Sequence, residues 1–421
     1  MQIFELDTWN EIALSLKKNK LRTFLTGFGV SWGILMLIFM LGAGNGLKNG
    51  VTGGFGDFAT NSFFVWTQAT TMPYKGFPRG RSFNFVTEDI QAIKDKVPEV
   101  DIVAPKLKAR HRSSEGNNVV RGKYSGSYSI NGDYPEVFKI DPVTVQAGRL
   151  LNYKDIAEKR KVAVIGNFVR DVLFEKDEDP IGKQIKIQGV YFTVIGVILP
   201  KGNVNINGDK KKMICIPFST LQQVYNYGNV VGFFAITAKK GVPASVAEEK
   251  VRVLLAERHQ VSPEDKMALG GFNIEKEYKQ MTGLFAAINL VIWTVGLGTL
   301  FAGVIGVSNI MMIVVKERTK EIGVRRAIGA TPSSIVGQII MESVVLTFFA
   351  GLLGLLIGVW ALEAIKPLFE TAEDSFIRNP EVDIKVVLFA IFVIVITGAF
   401  AGFLPAKRAI RIKAIDALRD E

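Results

Sequence analysis

The chain has 421 residues, of which 48% are apolar and 22% charged, with a formal net charge of +11; its mean hydropathy is +0.24 and its isoelectric point about 9.4. The apolar fraction excludes a disordered chain, the lone Cys215 excludes a disulfide framework, and His111, His259 and Cys215 lack the spacing of a His- or Cys-ligated metal site. Apolar and charged residues must therefore lie in separate blocks, and the positions of Lys and Arg decide between nucleic acid, acidic lipid and membrane topology.

Residues 1–22 form an N-terminal segment, followed by a charge-free run between Arg22 and Lys48 of about 25 residues, enough to cross a bilayer. This predicts a first transmembrane helix over 23–47. Glu5, Asp7 and Glu11 and the length of the apolar core argue against a cleaved signal peptide. Residues 48–279 read as an extracytoplasmic α+β domain. Strands are expected at 61–67, 102–107, 127–131, 161–165, 184–188, 191–198, 213–216 and 233–238, with a hairpin turning at Gly189. A helix is expected over 87–96, with Thr87 as its N-cap, and another over 245–259 with Val246, Val251, Leu254 and Leu255 inward. Whether one subdomain is inserted in another is open at this point.

The run 280–315 predicts a second span that would be ~54 Å long as a helix against a ~30 Å hydrocarbon core, so it projects as a stalk. A cytoplasmic coupling loop (316–333), a third span (334–365), a short extracytoplasmic loop (366–385), a fourth span (386–406) closed by Pro405 and a tail (407–421) complete the chain. The expected fold is thus an α-helical membrane protein with four transmembrane helices and a large α+β extracytoplasmic domain between spans one and two. Basic residues stay on the cytoplasmic side. Lys17, Lys18, Lys20 and Arg22 precede span one, Lys316 to Arg326 join spans two and three, and Lys407, Arg408, Arg411, Lys413 and Arg419 follow span four. Both termini are therefore expected in the cytoplasm, and the basic surplus needs no nucleic-acid partner.

Gly42 to Gly46 invites a phosphate-loop reading, but no G-x-x-x-x-G-K-[ST] occurs and the cluster ends a membrane helix, so helix packing is the simpler role. Small residues recur four apart at Gly29/Gly33, Gly42/Gly46, Ala302/Gly306, Gly354/Gly358 and Gly398/Gly402, a spacing that lets membrane helices approach closely. Within the spans, Glu342 is the one acid away from an end, read as a snorkelling or capped side chain rather than a proton relay. The outer domain contains no G-x-S-x-G, H-E-x-x-H or Cys/His pair, and its scattered carboxylates read as a solvated face.

The most distinctive stretch begins at Lys316. Glu317-Arg318-Thr319-Lys320-Glu321-Ile322-Gly323-Val324-Arg325-Arg326-Ala327-Ile328-Gly329-Ala330, followed by Gln338 and Glu342, resembles the E-R-x-x-E-I-G-x-R-x-A-x-G-A and Q-x-x-x-E pattern of the FtsX-like, MacB-type permeases of ABC transporters. Lys18 to Thr23 is similar to that family's N-K-L-R-[ST], and Pro405 to Ala409 with Ile415 to Arg419 to its tail, with Ala414 where proline is usual. Gly148-Arg149-Leu150, Val162 to Gly166, Asp179 to Lys183 and Phe192 to Val197 resemble the MacB-type periplasmic domain, with its porter-like part and inserted small subdomain.

The resemblance implies a permease that is not itself an enzyme, a homodimer or a pair of homologous permeases coupled to ABC ATPase subunits. It implies no cofactor on this chain, with ATP and Mg held by a separate ATPase, since MacB itself carries that domain fused and none is recognisable here. Glu317, Arg318, Glu321, Ile322, Gly323, Arg325, Arg326, Gly329 and Ala330 would form the coupling element, and Gly29, Gly33, Gly354, Gly358, Gly398 and Gly402 the helix contacts. Residues 9–16 would lie as an amphipathic support on the lipid surface of the inner membrane. The implied action is mechanotransmission for efflux of antibiotics, peptides or other amphiphiles, with a periplasmic adaptor and an outer-membrane duct as further partners. Lipoprotein release, or regulation of a cell-wall hydrolase with nothing transported, are the alternatives.

Overall fold

The structure is a computed structural model describing residues 20–55, 58–109, 118–201, 208–370 and 384–411. The stretch 9–16, His111, the loop residues 371–383 and the tail beyond 411 lie outside the described residues. The chain begins with helix α1 (Lys20–Phe55), followed by β1 (Ser62–Thr67), β2 (Phe85–Val86), α2 (Glu88–Lys96) and β3 (Val100–Lys108). Next come β4 (Val119–Arg121), β5 (Tyr124–Gly126), β6 (Ser129–Asp133), α3 (Val137–Ile140), β7 (Val143–Gly148), α4 (Tyr153–Ala157) and β8 (Val162–Gly166). They are followed by α5 (Asn167–Leu173), β9 (Gln184–Ile187), β10 (Val190–Pro200), β11 (Met213–Pro217), α6 (Phe218–Val224), β12 (Val230–Val231), β13 (Phe233–Ala238), α7 (Ala244–Arg258) and β14 (Leu269–Asn273). The remaining elements are helices: α8 (Ile274–Glu317), α9 (Thr319–Ala327), α10 (Pro332–Glu370) and α11 (Ile384–Ile410). The chain divides into two compact units, Gly53–Thr282 and the helical remainder.

In the α/β unit, twelve strands among the described residues form one sheet in the order β14-β1-β13-β3-β6-β11-β8-β10-β9-β4-β5, with β7 beside β10. Strands β1, β3, β13 and β14 come from the two ends of the unit, whereas β4 to β11 come from one continuous stretch between them. The second set is therefore an insertion, and it joins the first through the β3–β6 ladder, where Lys106 faces Asp133, Leu107 faces Gly132 and Lys108 faces Asn131. The hairpin expected at Gly189 is a two-residue turn with φ of 45° at Gln188 and 93° at Gly189, the twist that suits antiparallel strands.

Two local expectations are corrected here. Thr87 does not cap α2 with its side chain; its hydroxyl donates to Asn229 O, and Asp89 instead reaches back to accept from Val86 N at 2.9 Å. Val246 is exposed on α7, because Ala244 and Ala247 take the inward positions beside Val251, Leu254 and Leu255.

Among the described residues, four helices are long and apolar enough to cross a membrane: Thr23–Gly53, Ile274–Glu317, Pro332–Pro367 and Ile384–Ile410. Each runs past its charge-free core, and α8, with 44 residues, would be ~66 Å long. Pro405 does not close the last helix, which continues to Ile410; a proline costs one backbone hydrogen bond, a loss that membrane helices accommodate.

The small residues set the helix contacts. Gly29 meets Gly303 of α8, where an added Cβ would stand 3.2 Å from backbone atoms of Gly29 and Val30, and Gly33 lies over the backbone at Leu300. A methyl group at Gly354 would collide with Ser31 O, and one at Gly358 would stand 3.3 Å from Leu35 O, both on α1. Gly398 and Gly402 of α11 lie against Val344 and Ile340 of α10. Ala302/Gly306 behaves differently: Ala302 is exposed and a methyl group at Gly306 would meet nothing within 4 Å, because α8 turns Gly303 toward α1 instead.

Candidate functional site

The segment between α8 and α10 is a nine-residue helix set between two turns, and its ends follow from the sequence. Arg318, with φ −96° and ψ 17°, breaks the path of α8 and begins α9. At the other end Gly329 adopts φ +106°, so that Gly329 N donates to Arg326 O at 3.2 Å and Ala330 N to Arg325 O at 3.0 Å. That pair of bonds is a Schellman stop, and the left-handed backbone it needs is one that glycine adopts without strain. The Gly329-Ala330 pair of the motif is therefore the helix terminator.

Packing gives α9 an inner and an outer face. Ile322 and Gly323 are buried, and Ile322 belongs to a cluster with Val315, Ile335 and Ile339. The charged residues of the inner side form a closed circuit with α10. Arg318 donates from Nη1 to Glu342 Oε1 at 2.9 Å, and from Nε and Nη2 to the two oxygens of Glu321 at 2.9 and 3.1 Å. Arg325 donates from Nη2 to Glu321 Oε1 at 3.1 Å and from Nη1 to Gln338 Oε1 at 2.8 Å. Gln338 and Glu342 are four apart, hence on one face of α10. Arg326 reaches a third helix, donating to Ile410 O of α11 at 2.9 Å; this caps a carbonyl that the end of a helix leaves unpaired.

Glu342 is 5% exposed. It is therefore not a snorkelling end but the buried half of an ion pair, and its burial among α8, α9 and α10 removes it from lipid. Hydrogen bonding to Glu321 raises the Arg318 guanidinium above its ordinary range against the opposing effect of burial, so it stays a cation. A crevice of about 30 Å³ lies beneath the circuit, floored by Val314, Val315, Ile335 and Ile339, room for about one water.

The outer face is of another kind. Lys320, Val324, Ala327 and Ile328 are exposed, and Ile328 is 82% exposed. Of the residues expected to couple, Arg318, Glu321, Ile322, Gly323, Arg325 and Arg326 are thus brought together as the anchorage of α9, Gly329 and Ala330 form its stop, and Glu317 is the last residue of α8. Sequence reasoning missed Val324 and Ile328 as the outward surface; their i, i+4 spacing on the side opposite Ile322 was the available signal.

Residues 23–254 match the MacB-like periplasmic core domain family and residues 293–414 the FtsX-like permease C-terminal family. The chain thus belongs to the MacB/FtsX type of membrane permease. It is 30% identical over 419 residues to the macrolide export ATP-binding/permease protein MacB of Shewanella sp. (strain W3-18-1), covering 97% of this chain and 60% of that protein. It is 29% identical over 403 residues to the pyoverdine export ATP-binding/permease protein PvdT of Pseudomonas savastanoi pv. phaseolicola, covering 96% and 58%. The chain therefore spans about three fifths of the length of these relatives. Among solved structures it is similar to the periplasmic region of MacB from Actinobacillus actinomycetemcomitans, at 20% identity and a TM-score of 0.42, over 54% of this chain and 94% of that one.

Proposed function

We propose that the chain is the permease of an ABC exporter. It sits in the cytoplasmic membrane with both termini inside and Gly53–Thr282 outside, and works as a dimer with a separate ATPase subunit that holds ATP and Mg. The observation that carries this reading is the two-faced α9. Its outer face offers Val324, Ala327 and Ile328 to a soluble partner, while Arg318, Arg325 and Arg326 tie its inner face to α10 and α11. A push on the outer face is then passed to the spans through directional, charge-assisted bonds.

The action is mechanotransmission. Away from their ends the spans carry no charged side chain but Glu342, and Glu342 is engaged by Arg318. The described residues of the spans line up no chain of charged side chains, which supports handling of cargo by the outer domain. Macrolide and pyoverdine export, named for the relatives, support an amphiphilic or peptide-like cargo. The test is to reconstitute the chain with its ABC ATPase in nanodiscs and to introduce Val324→Asp with Ile328→Asp, on the outer face alone. ATPase association and stimulated turnover should be lost while the chain stays folded. Unchanged association would remove α9 as the docking element.

A further inference from the structure

Between β1 and β2 the chain forms a small hairpin that the sheet does not need. Tyr74 and Phe77 exchange backbone hydrogen bonds of 3.1 and 3.0 Å around Lys75 and Gly76, whose φ values are 45° and 85°. This is a tight turn of the kind that closes antiparallel hairpins. Its base is held from both sides. Thr70 N donates to Arg81 O at 3.0 Å, and Asp265 accepts from Thr71 N at 2.6 Å, from Thr71 Oγ1 at 2.7 Å and from Met72 N at 3.1 Å. Arg81 donates to the carbonyls of His259 and Gln260 just past α7, and lies 4.1 Å from the centre of the Phe77 ring.

The tip itself, Lys75-Gly76, is polar, as a chain-reversing turn requires, but the arms expose Met72 (42%) and Phe77 (38%), with Met267 (63%) on the neighbouring segment, which Gln68 joins through Ala268 O at 2.8 Å. Residues 68–84 contain Lys75, Arg79 and Arg81 and no acid. Methionine, aromatic and arginine side chains are those enriched at protein interfaces. A hairpin already fixed at its base loses little freedom on binding. The positive charges beside these apolar side chains select an acidic surface.

We infer that the hairpin at residues 70–81 is a docking surface for an extracytoplasmic protein that presents acidic residues around an apolar patch. A lipid surface has the same chemistry and is an outcome of the test; the methionine, aromatic and arginine composition and the preformed hairpin favour a protein. The inference rests on the proposed placement of Gly53–Thr282 outside the membrane and not on the ATPase reading.

The test places a photoreactive benzoyl-phenylalanine at Phe77 of the full chain in the cells that make it, and sequences the cross-linked peptides. The expected result is one protein joined through a segment of net negative charge, with the yield falling about tenfold when Lys75→Glu and Arg79→Glu are combined. Hydrogen exchange at the Thr70 and Thr71 amides checks that the base is intact, and Lys75→Gln serves as the milder variant. Lipid adducts only, products scattered over many proteins, no product, or a yield indifferent to charge reversal would each overturn the inference.

Discussion

Arg318→Met is the sharpest perturbation of the α9 ion-pair circuit, because it keeps the aliphatic stem and removes only the cation. Glu342, with a side chain 7% exposed, would be left without the guanidinium now 2.9 Å away. Breaking a buried ion pair from one side costs about 3–5 kcal/mol. Arg318 is itself a quarter exposed, so the lower end, ~3 kcal/mol, is the expectation. The variant also removes the fork on Glu321, leaving Arg325 and Arg326 to hold α9. If the loss falls on local opening of α9, amide protection at Ile322 and Gly323 should drop by about 100-fold, since every 1.4 kcal/mol is tenfold. Adding Glu342→Leu removes the stranded carboxylate, and most of the protection should return, as when both partners of a buried pair become apolar. Hydrogen exchange with mass spectrometry on the full chain in nanodiscs reads peptides covering residues 318–327. Unchanged exchange in Arg318→Met, or a double variant as labile as the single one, would refute the claim that this pair holds α9.

Three further outcomes follow from the geometry. Gly354→Ala should destabilise the helical unit by about 1–3 kcal/mol, since the added methyl group meets Ser31 O, whereas Gly306→Ala, with nothing within 4 Å, should be neutral or better within the chain; thermal unfolding of the two in detergent gives the contrast. Asp89→Asn should cost the α/β unit about 3 kcal/mol, because a fully buried carboxylate there serves Arg258 Nε and His259 Nε2, each at 2.7 Å; the loss of protection in α2 and α7 measures it. Arg121 first, then Lys183, hold the Glu178 carboxyl down at about 2 from an ordinary 4.5. A depressed acid stabilises the fold above its unfolded value and loses that contribution as the pH falls from about 4.5 through about 2, so a carbon-13 titration of the Glu178 carboxyl should find its midpoint near 2, and Arg121→Gln should bring it up.

How much was legible in the sequence depends on how far away the deciding partner lies. The strand over 233–238 is β13, residue for residue, since alternation and bounding turns are local signals. The insertion of β4 to β11 was not readable, because it is defined by the β3–β6 ladder between residues more than twenty apart. The same limit applied at the segment between α8 and α10. Its composition was evident, but Arg318 and Arg325 turn inward because Glu342 and Gln338 await them on another helix, and no local pattern contains that. Small residues four apart mark faces that can pack without saying which face does. On α8 the alternatives Ala302/Gly306 and Gly303 lie about 60–100° apart around the helix, and the one facing α1 was set by where Gly29 came to rest. Val246 failed for the same reason, since Ala247 takes the inward position, and Thr87 because its hydroxyl is drawn to Asn229 O, far away in the sequence.

The position of Arg318 explains why an arginine rather than any cation suits it. It stands at the break between α8 and α9 and bridges Glu321 on α9 to Glu342 on α10 with three donors from one planar group. A lysine ammonium is a point charge on a flexible stem, without the fixed fork that meets two carboxylates in set directions. A purely apolar joint would hold α9 equally close but would tolerate rotation, since packing is less directional than charge-assisted hydrogen bonds. Rotation of about 100°, one residue around the helix, would turn Val324 and Ile328 off the outward side. The ionic joint, buried by protein, therefore does what hydrophobic packing would not: it fixes that Val324 and Ile328 are the outward face of a nine-residue helix, the face on which the proposed docking depends.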